Sequence, residues 1–291
     1  MAGLAAEAAR TWSGRSRASR LPAALVVGGL ILLVIVALAA AANFIAPYPY
    51  DEMSIMARLQ SPGAAHWFGT DEYGRDVLTR TLVGARPTLL MGFGATAFAL
   101  VVGVPLGLVA GYRRGLTDEA IMRATDVLMS FPPILLGLLV LAVTTPALWK
   151  AILAVGIVYV PPIVRLTRGV TLEIAQEEFI LAAQARGDGN WRILMAEILP
   201  NAWPPIAVEA SLRITFAILL GAALSFLGLG AQPPTADWGL MISEARAFIE
   251  RAPWITLAPG IAMCATVIAI NLLGDGLREV LDPRIRTSRA S

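Results

Sequence analysis

The sequence predicts an all-α membrane protein with six transmembrane helices, and three observations carry that prediction. Hydrophobic residues make up 57% of the chain and charged residues 15%, against about 25% charged in soluble domains. Apolar stretches long enough to cross a bilayer recur along the chain, separated by polar segments. Basic residues concentrate in one alternate set of connections, as they do where those connections lie in the cytoplasm.

The N-terminus carries Arg10, Arg15, Arg17 and Arg20, then 22 uncharged residues over 21–42. About 20 apolar residues suffice to cross, so 1–20 reads as a tail and 21–43 as the first helix. The Ala39 to Ala42 run admits a cleaved signal as the rival reading, but a signal's apolar region spans only about 7 to 15 residues. Segment 44–86 holds Pro47, Pro49, Pro62 and several charges, contains no crossing stretch, and is expected outside the cytoplasm.

A five-helix core follows over 87–277. The second span is expected at 87–112, where Gly103, Gly107 and Gly111 recur every fourth residue; small residues at that spacing let helices pack backbone to backbone in lipid. Arg113, Arg114, Asp118, Glu119 and Arg123 then read as a loop. The third span is expected at 127–143, kinked by Pro132 and Pro133, and the fourth at 147–164, with Pro161 and Pro162 near its end. The fifth is expected at 204–227, where Glu209 and Arg213 stand four apart in the favourable order for a helical ion pair. A loop at 228–251, a sixth span at 253–274 and a basic tail at 278–291 complete the chain.

Between the fourth and fifth spans lies the longest polar interruption of the second half, 170–205. Up to Arg186 it has no Gly or Pro and reads as a helix. Gly187 and Gly189 break it. A second short helix at 191–199 carries Trp191, Leu194, Ile198 and Leu199 at helical spacing, and Pro200, Pro204 and Pro205 end it. Six spans put both termini on one side. That side, with this interruption, holds Arg10, Arg15, Arg17, Arg20, Arg113, Arg114, Arg123, Arg165, Arg168, Arg186, Arg192, Arg278, Arg284, Arg286 and Arg289. The other holds Arg58, Arg75, Arg80, Arg86, Lys150, Arg246 and Arg251. Fifteen against seven places the interruption and both termini in the cytoplasm.

Several chemistries are excluded. Lys150 is the only lysine and stands between Trp149 and Ala151, so no phosphate-binding Gly-x-x-x-x-Gly-Lys-Ser/Thr loop exists and any ATP is bound by another chain. Cys264 is the only cysteine, which rules out an intrachain disulfide and a cysteine cluster. No nucleic-acid footprint is present. His66, the only histidine, stands near Asp71, Glu72 and Asp76; these types can ligate metal, but one imidazole with scattered acids is a weak pattern. Ser225 lacks the flanking glycine of a nucleophile elbow and reads as a packing residue. No intramembrane carboxylate relay is present, which argues against a proton-driven carrier.

The polar interruption, through Ala182-Ala183, Gly187 and Leu199-Pro200, closely resembles the EAA loop of permease subunits in bacterial ABC importers. One position departs: the family's motif opens with Glu where this chain has Leu181, and Glu178 and Glu177 lie three and four positions earlier. The segment from His66 to Asp76 resembles the motif before span two in the dipeptide, oligopeptide and nickel branch of that family. So do Ala223-Leu224-Ser225-Phe226-Leu227-Gly228-Leu229-Gly230 with Gln232-Pro233-Pro234 and Trp238-Gly239, and Asn271-Leu272-Leu273-Gly274-Asp275-Gly276-Leu277-Arg278 with Asp282-Pro283-Arg284.

The resemblance implies an importer permease fold of the C-type subunit, multi-pass in the bacterial cytoplasmic (inner) membrane and not itself an enzyme. It implies a second homologous permease subunit, two cytoplasmic ATPase subunits that carry ATP and Mg, and an extracytoplasmic solute-binding protein. It makes 171–203 the coupling loop, with ATPase contacts at Glu178, Ala182, Ala183, Arg186, Gly187, Asp188, Trp191, Ile198, Leu199 and Pro200. Small Ala182 and Ala183 suit close approach to a partner, and Gly187 permits a turn that a Cβ would hinder. Dipeptides or oligopeptides are the expected cargo, with nickel or another small solute as the alternative and an ATP-independent channel or carrier as the rival class.

Overall fold

The computed structural model describes residues 21–281, and every regular element in it is helical. The helices are α1 (Ala23–Ile45), α2 (Val77–Arg113), α3 (Gly115–Met129), α4 (Pro133–Ala142), α5 (Leu148–Ile174), α6 (Glu178–Ala185), α7 (Asn190–Phe226), α8 (Trp238–Ala245) and α9 (Trp254–Leu281). Five of them, α1, α2, α5, α7 and α9, are long and apolar enough to cross a membrane singly.

The expected third span is a broken one. α3 and α4 meet at a 90° bend and reach span length only together. The break falls at Pro132-Pro133: a residue before proline is disfavoured in the helical region, and Pro132 is extended at ψ 136°. α4 alone rises about 15 Å, half of a bilayer's hydrocarbon core. The charges expected in a loop at 113–123 lie at the end of α2 and on α3. There Arg168 of α5 grips Asp118 with Nη2 2.6 Å from Oδ2, and Arg165 grips Asp126 at 2.5 Å.

Several boundaries move outward from their expected places because prolines are carried inside helices. α2 begins at Val77 rather than 87; the Asp76 carboxylate accepts from the Thr79 amide at 2.8 Å and caps its start, and Pro87 rides within it. α5 runs ten residues past 164 with Pro161 and Pro162 inside. α9 continues to Leu281 rather than 274, and α8 fills part of the expected loop at 228–251. Neighbouring helices re-satisfy the backbone groups that a proline frees in a membrane span.

The polar interruption is also rearranged. The helix expected up to Arg186 breaks after Ile174 and resumes at Glu178. The short helix expected at 191–199 does not stop at Pro200; it is the start of α7, joined through a π turn over Ile193–Ile198. A π turn takes up the register change that a proline imposes.

α2 and α5 run parallel as the central pair. A Cβ on Gly103, Gly107 or Gly111 would lie 3.1, 2.7 or 2.8 Å from the carbonyl oxygens of Val160, Val164 and Arg168. The two backbones therefore touch at each four-residue step, as the spacing predicts. Met91, Ala99, Val155, Ile163, Ile206 and Ala217 fill the core among α2, α5 and α7. α1 lies antiparallel on α9, with Gly28 against Ala269 and Gly276 against Leu25. Both described ends thus share the end of the bundle that carries α6, here termed the loop end. The opposite, cap end is closed by 46–76 and α8. The basic residues 10–20 and 284–289, and the Asp282-Pro283-Arg284 motif, lie outside the described residues.

Candidate functional site

The candidate site is the turn from α6 into α7, and burial divides its residues into two sets. On α6, Ile180 and Ala183 stand one turn apart and are fully buried, in the same apolar cluster as Ile193, Leu194 and Ile198 at the start of α7. Burying those side chains at about 25 cal/mol per Å² holds the two arms together. The close approach expected of Ala183 is therefore made within the loop itself, and Ile198 is likewise a packing residue. Leu199 is half-buried.

The turn between the arms has a specific geometry. Gly187 sits at φ +81°, the Asp188 amide donates to the Ala183 carbonyl at 3.1 Å, and the Gly187 amide donates to the Gln184 carbonyl at 2.9 Å. This is a Schellman cap, which places a left-handed residue just past a helix end. A Cβ on Gly187 would meet nothing within 4 Å, so the position demands glycine for its backbone angle and not for space. Asp188 then gathers both neighbouring cations, Arg186 at 2.9 Å and Arg192 at 3.7 Å.

The second set faces outward. Trp191 is 68% exposed, Leu181 53% and Phe179 41%; Glu178, Ala182, Arg186 and Pro200 are exposed beside them. Leu181, where the resembling motif carries Glu, lines an open pocket of about 620 Å³ with Tyr112, Arg113, Arg114, Gln176 and Gln184. Tyr112 ties both arms to the end of α2: its hydroxyl donates to Asn190 Oδ1 at 3.3 Å and accepts from Gln184 Nε2 at 3.4 Å. Sequence reasoning missed Ile180, Ile193 and Tyr112. The three-residue step from Ile180 to Ala183 was a signal for the first; nothing in the sequence pointed to Tyr112.

The histidine segment at the cap end forms a different kind of structure. His66 Nδ1 lies 2.9 Å from Asp76 Oδ1, Arg75 Nε donates to Asp71 at 2.5 Å, and Arg75 Nη2 reaches Glu244 of α8 at 2.9 Å. Arg80 stands 3.6 Å from Asp71 and 3.5 Å from Glu244. Burial pushes the Glu72 carboxyl above the usual carboxylate range, and Asp71 and Glu244 add to that. The carboxylates serve arginines and a helix cap, and among the described residues no three His, Cys, Asp or Glu side chains converge as metal ligands.

Comparison with known proteins places this arrangement. Residues 103–287 match the family described as the binding-protein-dependent transport system inner membrane component. Residues 23–62 match the N-terminal transmembrane domain of oligopeptide transport permease C. The dipeptide transport system permease protein DppC of Alkalihalophilus pseudofirmus is 45% identical over 90% of this chain and 86% of that one. The glutathione transport system permease protein GsiD of Pectobacterium atrosepticum is 42% identical over 90% and 87%. In fold, the chain is similar to a solved inward-facing MetNI methionine ABC transporter, with TM-score 0.60 and 21% identity, covering 70% of this chain and 97% of that one. The chain therefore belongs to the inner membrane components of binding-protein-dependent transport systems, as a multi-pass permease subunit of an ABC importer.

Proposed function

We propose that this chain is the C-type permease of a di- or oligopeptide importer, with its loop end in the cytoplasm and the α6–α7 turn as the surface that meets an ATPase. The cargo reading draws on relatives named for dipeptide and di/tripeptide transport; the orientation draws on the bias of basic residues toward that end. A second homologous permease completes the path, two cytoplasmic ATPase subunits bind ATP and Mg, and an extracytoplasmic binding protein delivers cargo. Glu178, Ala182, Arg186, Trp191 and Pro200 supply the contact surface, while Ala183, Gly187, Asp188, Ile198 and Leu199 fix its shape.

The observation that carries this reading is the continuity of α7. Its 37 residues run from the turn through the span without a break, a lever of about 55 Å. Closure of the ATPase pair, pressing on the turn, is then transmitted directly to the path as a rocking between inward and outward access.

The test is to purify the chain in mild detergent from its native host and identify what accompanies it, then to repeat with Gly187→Pro. Proline fixes φ near −65°, and position 187 requires +81°. Two ATPase chains and a second permease are expected with the native chain, and weakened or lost with a variant that still inserts. A chain recovered alone that passes solute in liposomes without ATP would overturn the reading.

A further inference from the structure

Glu209 and Arg213 of α7 are placed where a merely structural ion pair is unfavourable. The guanidinium donates through both Nε, at 2.6 Å, and Nη2 to a single oxygen, Glu209 Oε1. Glu209 Oε2 and Arg213 Nη1 have no partner among the described residues. Both side chains keep part of their surface open, 18% and 21%. Around them the same flank of α7 is uncovered, with Leu212, Phe216 and Leu219 each more than 40% exposed. The guanidinium also lies 5.7 Å from the ring centres of Tyr159 and Phe216, and the Tyr159 hydroxyl donates to the Phe216 carbonyl at 3.1 Å.

Depth gives this its meaning. From Glu209 to the end of α7 at Phe226 is about 26 Å of helix, within a hydrocarbon core of about 30 Å. Taking the end of α7 as the far edge of the core puts Arg213 about one turn inside it. Charged groups within the membrane face a bundle interior or a watered cavity rather than lipid. An open flank that carries a half-satisfied ion pair suits a water-filled path better than lipid.

We propose that Glu209 and Arg213 line the translocation path and hold the two charged termini of a short zwitterionic peptide in transit, Arg213 the carboxylate and Glu209 the ammonium. The proposal rests on the peptide-importer reading above. In the empty path the two charges compensate each other, so neither stands alone in a low-dielectric wall. The dimensions suit this exchange: side chains four apart on a helix stand about 5–6 Å apart at Cβ, and two extended residues span about 7 Å. The free oxygen and the free guanidinium nitrogen are the groups that engage the cargo. The exposed Phe216 gives its side chains an aromatic wall, backed by the buried Tyr159.

The experiment uses the whole transporter with its binding protein in proteoliposomes. It measures ATP-driven uptake of a labelled dipeptide, its C-terminal amide and its N-acetyl form. Arg213→Gln is expected to lower uptake of the free dipeptide at least tenfold and to bring the free-to-amide ratio near one. Glu209→Gln is expected to do the same to the free-to-acetyl ratio, and Arg213→Lys to retain selectivity for the free carboxylate. In a Cys264→Ser background, Leu212→Cys is expected to react with a membrane-impermeant thiol reagent. Reduced uptake with the native ratios intact would make the pair a structural clamp and overturn the proposal, as would a Leu212→Cys thiol that the reagent never reaches. Native transporter that takes up no peptide form at all would instead sink the peptide reading beneath it.

Discussion

The two ends of the bundle use charge in opposite ways. At the cap end Asp71, Arg75 and Arg80 are drawn inside, with both arginines 1% exposed, and both arginines reach the distant Glu244 of α8. At the loop end Arg186 and Arg192 stand at the surface on a partly covered Asp188, beside a 68% exposed Trp191. The difference teaches what each end is for. The cap joins α2 to α8 by ion pairs made within the chain, whereas the loop is stapled along Ile180, Ala183, Ile193 and Ile198 and leaves its outer face exposed.

The sharpest break in that comparison comes from removing one charge at each end. Arg75→Met leaves Asp71 and Glu244 only their longer contacts to Arg80, and stripping one member from a buried ion pair costs about 3–5 kcal/mol. The expected result is a large fall in the unfolding temperature of the detergent-solubilised chain, with little folded material recovered. Trp191→Ala should leave that temperature unchanged while weakening recovery of the ATPase subunits. Equal thermal losses in both variants would erase the distinction between the ends.

A smaller effect separates two glycines that look alike in the sequence. A Cβ on Gly107 would enter 2.5 Å from Thr167 Cβ and 2.7 Å from the Val164 carbonyl, whereas one on Gly187 meets nothing. Overpacking of a core costs about 1–3 kcal/mol, so Gly107→Leu should separate α2 from α5 and lower the unfolding temperature. Gly187→Ala carries only backbone strain, of order 1 kcal/mol for a non-glycine held at positive φ, and it falls on a local turn. A Gly107→Leu variant as stable as the native chain would remove the α2–α5 contact as the bundle's central seam.

The contrast between the ends also explains what was legible in the sequence. The long spans were read correctly because twenty apolar residues have few alternatives, and Gly103, Gly107 and Gly111 announced their contact through spacing alone. The prolines misled: Pro87, Pro161 and Pro200 each suggested a boundary, yet each rides inside a helix. Only at Pro132-Pro133 does a proline pair coincide with a real break; Pro161-Pro162 and Pro204-Pro205 lie inside helices. Within the loop, Gly187 was legible because a left-handed turn leaves few residue choices. The inward turn of Ala183 was not, since an alanine in a polar stretch suits either a packed or an exposed face. The cap was least legible of all, because the meeting of Arg75 with Glu244 is a property of the folded bundle and leaves no local pattern.

The last and smallest test concerns Glu72, the one cap carboxylate that the arginines serve poorly, with Arg75 Nη2 3.7 Å away and Oε2 unpartnered. Burial raises its folded pKa above the ordinary value of 4.5. Below that value both folded and unfolded chains hold the proton, and Glu72 adds no pH dependence. As pH rises through 4.5 and up to the raised value, the unfolded chain gives up its proton first while the folded chain keeps it. Folded protein then binds more protons, so its stability falls across that window and levels off above it. Glu72→Gln cannot ionise and escapes this loss. The variant should match the native chain in unfolding temperature at about pH 4 and exceed it at about pH 7. A native advantage at neutral pH would mean that Glu72 works as a counter-charge to Arg75 and Arg80, and that the cap is as fully paired as its other members suggest.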